Sequence, residues 1–248
     1  MSALLRVENV GKRFGGFVAL ESIDLEVTEG ERLGLIGPNG SGKSTLVNCI
    51  CGTLQNETGK VTFAGQPLDG LAAHERTRRG LARSFQLPRP FTSLTLVENV
   101  RIPILYTVNA RKTGQGYKHV AHAAIDRRCR DLLGEVGLLA KADHLPRDLT
   151  QIEMRKLELA RAMAAEPRLL IADEVMAGLS HNEVDEIIAL LIRVNGQGVT
   201  VIMIEHIMRA VMEVSQRLAV LVAGRKIADG DPKDVVRNAE VVRAYLGE

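Results

Sequence analysis

The chain has 248 residues, 46% of them apolar and 25% charged, with a formal charge of +2. That length suits one large domain, or a domain with a subdomain, and the balance is that of a globular chain. Aromatic residues are only 3% and tryptophan is absent, which argues against stacking platforms for single-stranded nucleic acid. The interspersed charge lacks the dense basic face of a duplex binder, so no nucleic-acid partner is expected.

The start, Met-Ser-Ala-Leu-Leu-Arg-Val-Glu, lacks the pattern of a signal peptide. The longest apolar runs, Val199–Ile204 and Leu218–Ala223, fall far short of the ~20 residues that span a bilayer. A membrane role would come through a partner. Cys49, Cys51 and Cys129 form no paired framework, which suits a reducing compartment. Two of them, two apart on one helix, diverge, so they read as small buried apolar residues and not as metal ligands. Arg76, Arg78 and Arg79, and again Arg127, Arg128 and Arg130, read as solvated helix faces.

In chain order, strand patterns occur at Leu4–Val10, Ile23–Val27 and Arg32–Ile36, and the third ends in a glycine-rich loop. A helix is predicted from Gly42 to about Cys51, then a strand over Lys60–Ala64. From about Leu87 to Ala165 the pattern is mostly helical. Pro88, Pro90 and Pro103 punctuate its start. Thr107–Lys118 reads as a polar loop, and His119–Val136 and Leu149–Ala165 as helices. The remainder alternates helix with the apolar runs Leu169–Ala172, Val199–Ile204 and Leu218–Val222, as buried parallel strands do. No repeat or heptad array is present.

Gly37-Pro38-Asn39-Gly40-Ser41-Gly42-Lys43-Ser44-Thr45 fits the phosphate-loop pattern G-x-x-x-x-G-K-[ST]. Its chance occurrence in a chain of this size and composition is on the order of one in a hundred. A strand before it and a helix after it reduce that further. Glycines let backbone N–H groups converge on a phosphate, and the helix start adds its dipole. Lys43 can reach the β- and γ-phosphates of ATP, and the Ser44 hydroxyl can ligate Mg²⁺. The run Leu169–Glu174 is an apolar strand ending in two carboxylates. Asp173 is placed to hold Mg²⁺ through its water shell, and Glu174 to act as general base toward a water.

Together these segments resemble the ATP-binding-cassette (ABC) ATPases over essentially the whole chain. The resemblance implies an α/β fold of the P-loop NTPase type: a RecA-like core with an antiparallel β subdomain (residues 1–86 and 166–248) and an inserted α-helical subdomain (residues 87–165). It implies that Phe14 stacks on adenine with Val18 in support, and that Gln86 of Arg-Ser-Phe-Gln contacts Mg²⁺ and the attacking water. His206 of Ile-Glu-His would sense the γ-phosphate, and Ala177–Ser180 stands at the D-loop position. Within the family, Arg13-Phe-Gly-Gly, Ile204-Glu-His and the ending Ala-Tyr-Leu-Gly-Glu are similar to ATPases of branched-chain amino acid importers; ATPases of lipopolysaccharide export share a similar ending. The implied partners are a second ABC ATPase, two transmembrane permeases and, indirectly, a periplasmic binding protein. The implied place is the cytoplasmic face of the inner membrane.

One segment departs from the pattern. The family's Leu-Ser-Gly-Gly-Gln signature, which grips the partner's nucleotide, aligns with Leu149-Thr150-Gln151-Ile152-Glu153. Thr150 keeps a hydroxyl. Ile152 in place of glycine is expected to obstruct the phosphate, and Glu153 to repel it. Val175 also stands where proline is usual. Unequal sites in a heterodimer follow from this, with a homodimer as the alternative. A DNA-repair or chromosome-organising ATPase would need long coiled coils, a tandem-cassette translation factor a second phosphate loop, and a small-molecule kinase would lack Gln86, the signature-like segment and His206 in this order.

Overall fold

The computed structural model describes residues 3–84, 88–108 and 122–246. The chain opens with β1 (Ala3–Phe14) and β2 (Phe17–Thr28), an antiparallel hairpin closed by Gly15 and Gly16. These strands are longer than the apolar pattern predicts. Both faces of the hairpin tip are exposed, so alternation disappears beyond Val10 although pairing continues to Phe14↔Phe17. The strands β4 (Thr58–Phe63) and β5 (Gln66–Pro67) complete a four-stranded antiparallel sheet in the order β2-β1-β4-β5.

The second sheet has six strands in the order β10-β9-β3-β8-β7-β6. It comprises β3 (Arg32–Ile36), β6 (Leu81–Ser84), β7 (Leu169–Asp173), β8 (Thr200–Ile204), β9 (Arg217–Val222) and β10 (Arg225–Gly230). All pairings are parallel except β9 with β10. Its helices are α1 (Lys43–Cys51), α2 (Ala73–Arg78), α6 (His181–Gly196), α7 (Met208–Val214), α8 (Pro232–Val235) and α9 (Ala239–Leu246). Between β6 and β7 lie α3 (Leu96–Pro103), α4 (His122–Glu135) and α5 (Gln151–Met163), which pack on one another. Of the loop predicted at Thr107–Lys118, Thr107 and Val108 belong to a helical turn following Pro103, and 109–118 lie outside the described residues.

The parallel sheet is apolar on both faces, and successive residues divide between two cores. Leu33, Leu35, Leu169, Ile171, Ile202 and Ile204 face the antiparallel sheet and α1. Ile36, Leu170, Ala172, Val201 and Met203 face the helices inserted between β6 and β7, with α6 and α7. Each fully buried aliphatic side chain contributes about 1.5–3 kcal/mol of transfer free energy, so the sheet is fixed from both sides. The C-terminal ends of β3, β7 and β8 are thereby held in one rigid layer.

Cys49, Cys51 and Cys129 are free and buried, and burial raises their thiols to about 11, 12 and 11. Arg76, expected on a solvated face, is instead 2% exposed. Its guanidinium donates to the carbonyls of Cys49 (2.7 Å), Ile50 (2.9 Å) and Leu71 (3.1 Å). The end of α1 leaves unpaired carbonyls that this buried cation satisfies, while burial lowers the Arg76 pKa.

Candidate functional site

The phosphate-loop sequence leaves β3 and turns into α1. At Gly37 the backbone has φ +151°, and an added Cβ would sit 2.1 Å from the Leu221 carbonyl oxygen. At Gly42, φ is +102° and a Cβ would meet the Ala19 carbonyl at 2.7 Å. Both positions therefore exclude a side chain. Gly42 is the N-cap of α1, with no side-chain cap and no acid in the first turn. That leaves a helix start whose N–H groups and dipole favour an anion. Lys43 Nζ folds back to donate to the carbonyls of Gly37 (2.8 Å) and Pro38 (3.0 Å), with Ser41 Oγ at 3.5 Å. Burial lowers the Lys43 pKa, while Glu174 and Asp173 oppose that shift.

The cleft over this loop has a volume of about 240 Å³ and is lined by Phe14, Phe17, Ala19, Asn39, Gly40, Ser41, Gly42, Lys43, Ser44, Thr45 and Glu174. A slightly larger cavity, about 290 Å³, lies beside Cys51, Arg83, Tyr106 and Arg161. It has no phosphate-binding loop, so the chemistry belongs to the first. Of the two residues expected at the adenine, Phe14 lines the cleft and is 50% exposed. Val18 is not among the lining residues. Phe17 and Ala19 are there instead, because side chains two apart on a strand share a face and Val18 points to the other. Phe17, 63% exposed at the hairpin tip, was missed because a lone aromatic beside two glycines carries no periodic signal.

The carboxylates arrive on β7. Asp173 is 6% exposed and accepts a hydrogen bond from Arg83 Nη2 at 2.5 Å; Arg83 Nη1 also donates to Asn48 Oδ1 of α1 at 2.7 Å. Glu174 has φ +47°, a conformation that costs a residue with a Cβ of order 1–3 kcal/mol. It is held by its own N–H donating to the Ile204 carbonyl (2.9 Å) and by Ala177 N–H donating to its carbonyl (3.3 Å). The strained turn directs the side chain to the same cleft as Lys43. His206 is exposed just beyond β8, the strand adjacent to β7. Gln86 lies outside the described residues. Ser44 and Asp173 offer oxygen donors, and no cluster of three or more His, Cys, Asp or Glu among the described residues could cage a metal. Such a sparse oxygen set fits Mg²⁺, which keeps several waters and takes phosphate oxygens.

Thr150 is not among the cleft's lining residues. It is the N-cap of α5: its Oγ1 accepts from Glu153 N–H (3.4 Å), and its own N–H donates to Glu153 Oε2 (2.8 Å). Lys141 Nζ pairs with the same carboxylate at 2.6 Å. The Lys141 hydrogen bond, then the Thr150 backbone, holds the Glu153 carboxyl below its ordinary value. Ile152, expected to obstruct a phosphate, is 9% exposed and packs into the core with the helical block. The departure from the signature is therefore a self-completed helix start. Its charge is neutralised locally, and its apolar residue faces inward.

The C-terminal helix α9 adds a residue that no periodicity marked. Burial raises the Tyr245 pKa, and the nearby Gly37 backbone opposes that shift. Tyr245 thus lies beside the first glycine of the phosphate loop.

Residues 20–177 match the family described as ABC transporter, and residues 225–248 match that described as branched-chain amino acid ATP-binding cassette transporter. The chain is 36% identical over 250 residues to the high-affinity branched-chain amino acid transport ATP-binding protein BraF of Pseudomonas aeruginosa, covering 99% of this chain and 98% of that one. It is 35% identical over 254 residues to LivG of Salmonella typhimurium, with the same coverage. Among solved structures, a nucleotide-free ATP-binding cassette from an ABC transporter superposes with a TM-score of 0.88 at 30% identity, covering both chains fully. The dimeric post-hydrolysis cassette MJ0796 bound to ADP and Pi gives 0.80 at 25% identity, over 92% of this chain and 98% of that one.

Proposed function

The chain belongs to the ABC transporter family, as its ATPase component, and on that premise we propose that it drives import of branched-chain or related amino acids by hydrolysing Mg-ATP in the cleft over α1. The observation that carries this reading is the meeting, in one cleft, of an uncapped helix start, Lys43 and the strained Glu174.

In the proposed reaction the loop 37–45 cradles the ATP phosphates through backbone N–H groups. Lys43 leaves its loop carbonyls to neutralise the β- and γ-oxygens. Phe14, with Phe17 beside it, receives the adenine. Ser44, Asp173 and Gln86 would hold Mg²⁺, which supplies charge neutralisation along the triphosphate. Glu174 accepts the proton of a water as its oxygen attacks the γ-phosphorus. The bond to the β–γ bridging oxygen breaks, and ADP leaves with that oxygen's electrons. Gln86 and His206 orient the water and the departing phosphate.

Residues 87–165 act as the subdomain that passes this change to two permeases. Among the described residues no helix is long and apolar enough to cross a membrane, so attachment at the cytoplasmic face runs through those subunits. A second ABC ATPase covers the cleft. A heterodimer is favoured because the start of α5 spends the Glu153 N–H on Thr150 and sets the Glu153 carboxylate there, leaving less to offer a partner's nucleotide.

The test is ATP turnover by the purified chain, alone and assembled with its cognate ATPase and permeases, beside Glu174→Gln. Turnover that rises on assembly and falls at least ~100-fold in Glu174→Gln is expected. Rapid turnover that is indifferent to partners would overturn the transporter reading.

A further inference from the structure

Glu205 stands one residue before His206 and is 2% exposed. Its Oε1 accepts the Met176 peptide N–H at 2.9 Å. Its Oε2 is buried with no hydrogen-bond partner among the described residues. Met176 and His206 belong to different strand ends: Met176 follows Glu174 beyond β7, and His206 follows β8. The side chain of Glu205 therefore ties the turn that carries Glu174 to the backbone that carries His206.

The tie extends further. The carbonyl of Ala177, next to Met176, accepts from Gln151 Nε2 (3.3 Å) and Arg155 Nη2 (3.4 Å), both on α5. Arg155 lies in the field of Glu205 and Glu158. One short peptide, residues 174–177, is thus held from β8 by Glu205 and from the start of α5 by two side chains.

As a fold-stabilising device this is a poor choice. A buried carboxylate with an orphaned oxygen is destabilising unless its partners are worth more than its lost hydration. The amide of a glutamine would make the same bond to Met176 without the charge. The strained φ of Glu174 shows what needs holding: a left-handed turn persists only where its surroundings fix it.

We propose that Glu205 is a positioning residue for ATP hydrolysis. It locks the Glu174 turn and the His206 backbone in register and makes α5 the third member of that unit. The inference rests on the assignment of Glu174 and His206 to hydrolysis. It adds that the helix start offered to a partner subunit and the chain's own hydrolytic pair are mechanically one body.

The experiment compares Glu205→Ala and Glu205→Gln with the parent chain. Amide hydrogen exchange is read on the full-length chain; ATP turnover is read in the assembled transporter. Glu205→Ala is expected to speed exchange at least ~10-fold in the segments holding Met176 and His206 and to lower kcat at least ~10-fold, with KM for ATP unchanged. Glu205→Gln keeps the acceptor for Met176 and is expected to restore both. Unchanged exchange at Met176 and His206 in Glu205→Ala overturns the proposal. So does a parallel loss of ATP binding and melting temperature in both variants, which would mark a folding residue. Turnover that survives Glu174→Gln would sink the hydrolytic assignment instead, and the exchange result would still decide whether Glu205 ties the two segments.

Discussion

Two helix starts in this chain have opposite chemistry. Helix α1 begins at Gly42 with no side-chain cap and no acid in its first turn. Helix α5 begins at Thr150 with a reciprocal capping box to Glu153, itself paired with Lys141. Both helices have the same orphan N–H groups and the same dipole. One leaves them to a ligand; the other turns the Glu153 N–H to Thr150 Oγ1 and places the Glu153 carboxylate at its own start. Phosphate chemistry needs vacancy at a helix start, and the local sequence decides it: glycine and lysine at one, threonine and glutamate at the other.

The strongest way to break the contrast is to fill the empty start. Thr45 is the third residue of α1, where Glu153 stands in α5. Thr45→Glu would place a carboxylate against the first-turn N–H groups and beside the phosphates. We expect ATP affinity to fall at least ~100-fold, about 2.7 kcal/mol, with the melting temperature of the nucleotide-free chain unchanged or raised. Equilibrium binding of a fluorescent ATP analogue checks this. Unchanged affinity would mean that the vacant helix start contributes nothing to phosphate binding.

How much of this contrast is legible in sequence depends on the range of each contact. The loop 37–45 and the run Leu169–Glu174 could be read because a local pattern fixes both their structure and their chemistry. The self-capped α5 start was half legible: Thr150 and Glu153 stand at capping-box spacing, but Lys141 reaches Glu153 only after folding, and the inward turn of Ile152 depends on the helical core. Arg76 misled for a related reason. Its charge clusters with its neighbours in sequence, but its carbonyl partners on α1 appear only in three dimensions. Tyr245 and Glu205 carried part of the resemblance, in Ala-Tyr-Leu-Gly-Glu and Ile204-Glu-His, but no local signal of a role, since the first approaches Gly37 across nearly the whole chain and the second reads as an ordinary exit from an apolar strand.

Emptying the filled start should have a smaller effect. Thr150→Ala removes a cap worth about 1 kcal/mol, or about 2–4 °C in melting temperature for a chain of this size. ATP affinity in the chain's own cleft should be unchanged, since Thr150 does not line it. The acid limb of stability carries the same information. The Glu153 pKa is lowered from the ordinary 4.5 in the folded chain, so its contribution is present above 4.5 and lost as pH falls through the depressed folded value. Glu153→Gln should lack that part of the acid transition, and melting curves between pH 6 and pH 3 would show whether it does.

The smallest effect concerns the other end of α1, which is sealed where its start is open. Arg76 donates to the Cys49 and Ile50 carbonyls, and burial raises the thiols of Cys49 and Cys51 to about 11 and 12. At pH 8 both should resist alkylation in the folded chain, because the thiolate is the reactive form and is scarce there. Arg76→Met removes the donors and leaves the carbonyls unpaired, so the last turn of α1 should open more often and both thiols should label faster. Mass spectrometry of iodoacetamide-treated protein measures the rate at each cysteine, with buried Cys129, on α4 and away from Arg76, as the internal reference. Faster labelling at Cys49 and Cys51 than at Cys129 would locate the change at the sealed end of α1. Equal acceleration at all three would mean that Arg76 stabilises the whole fold, and that the closure of this helix end is not a local property.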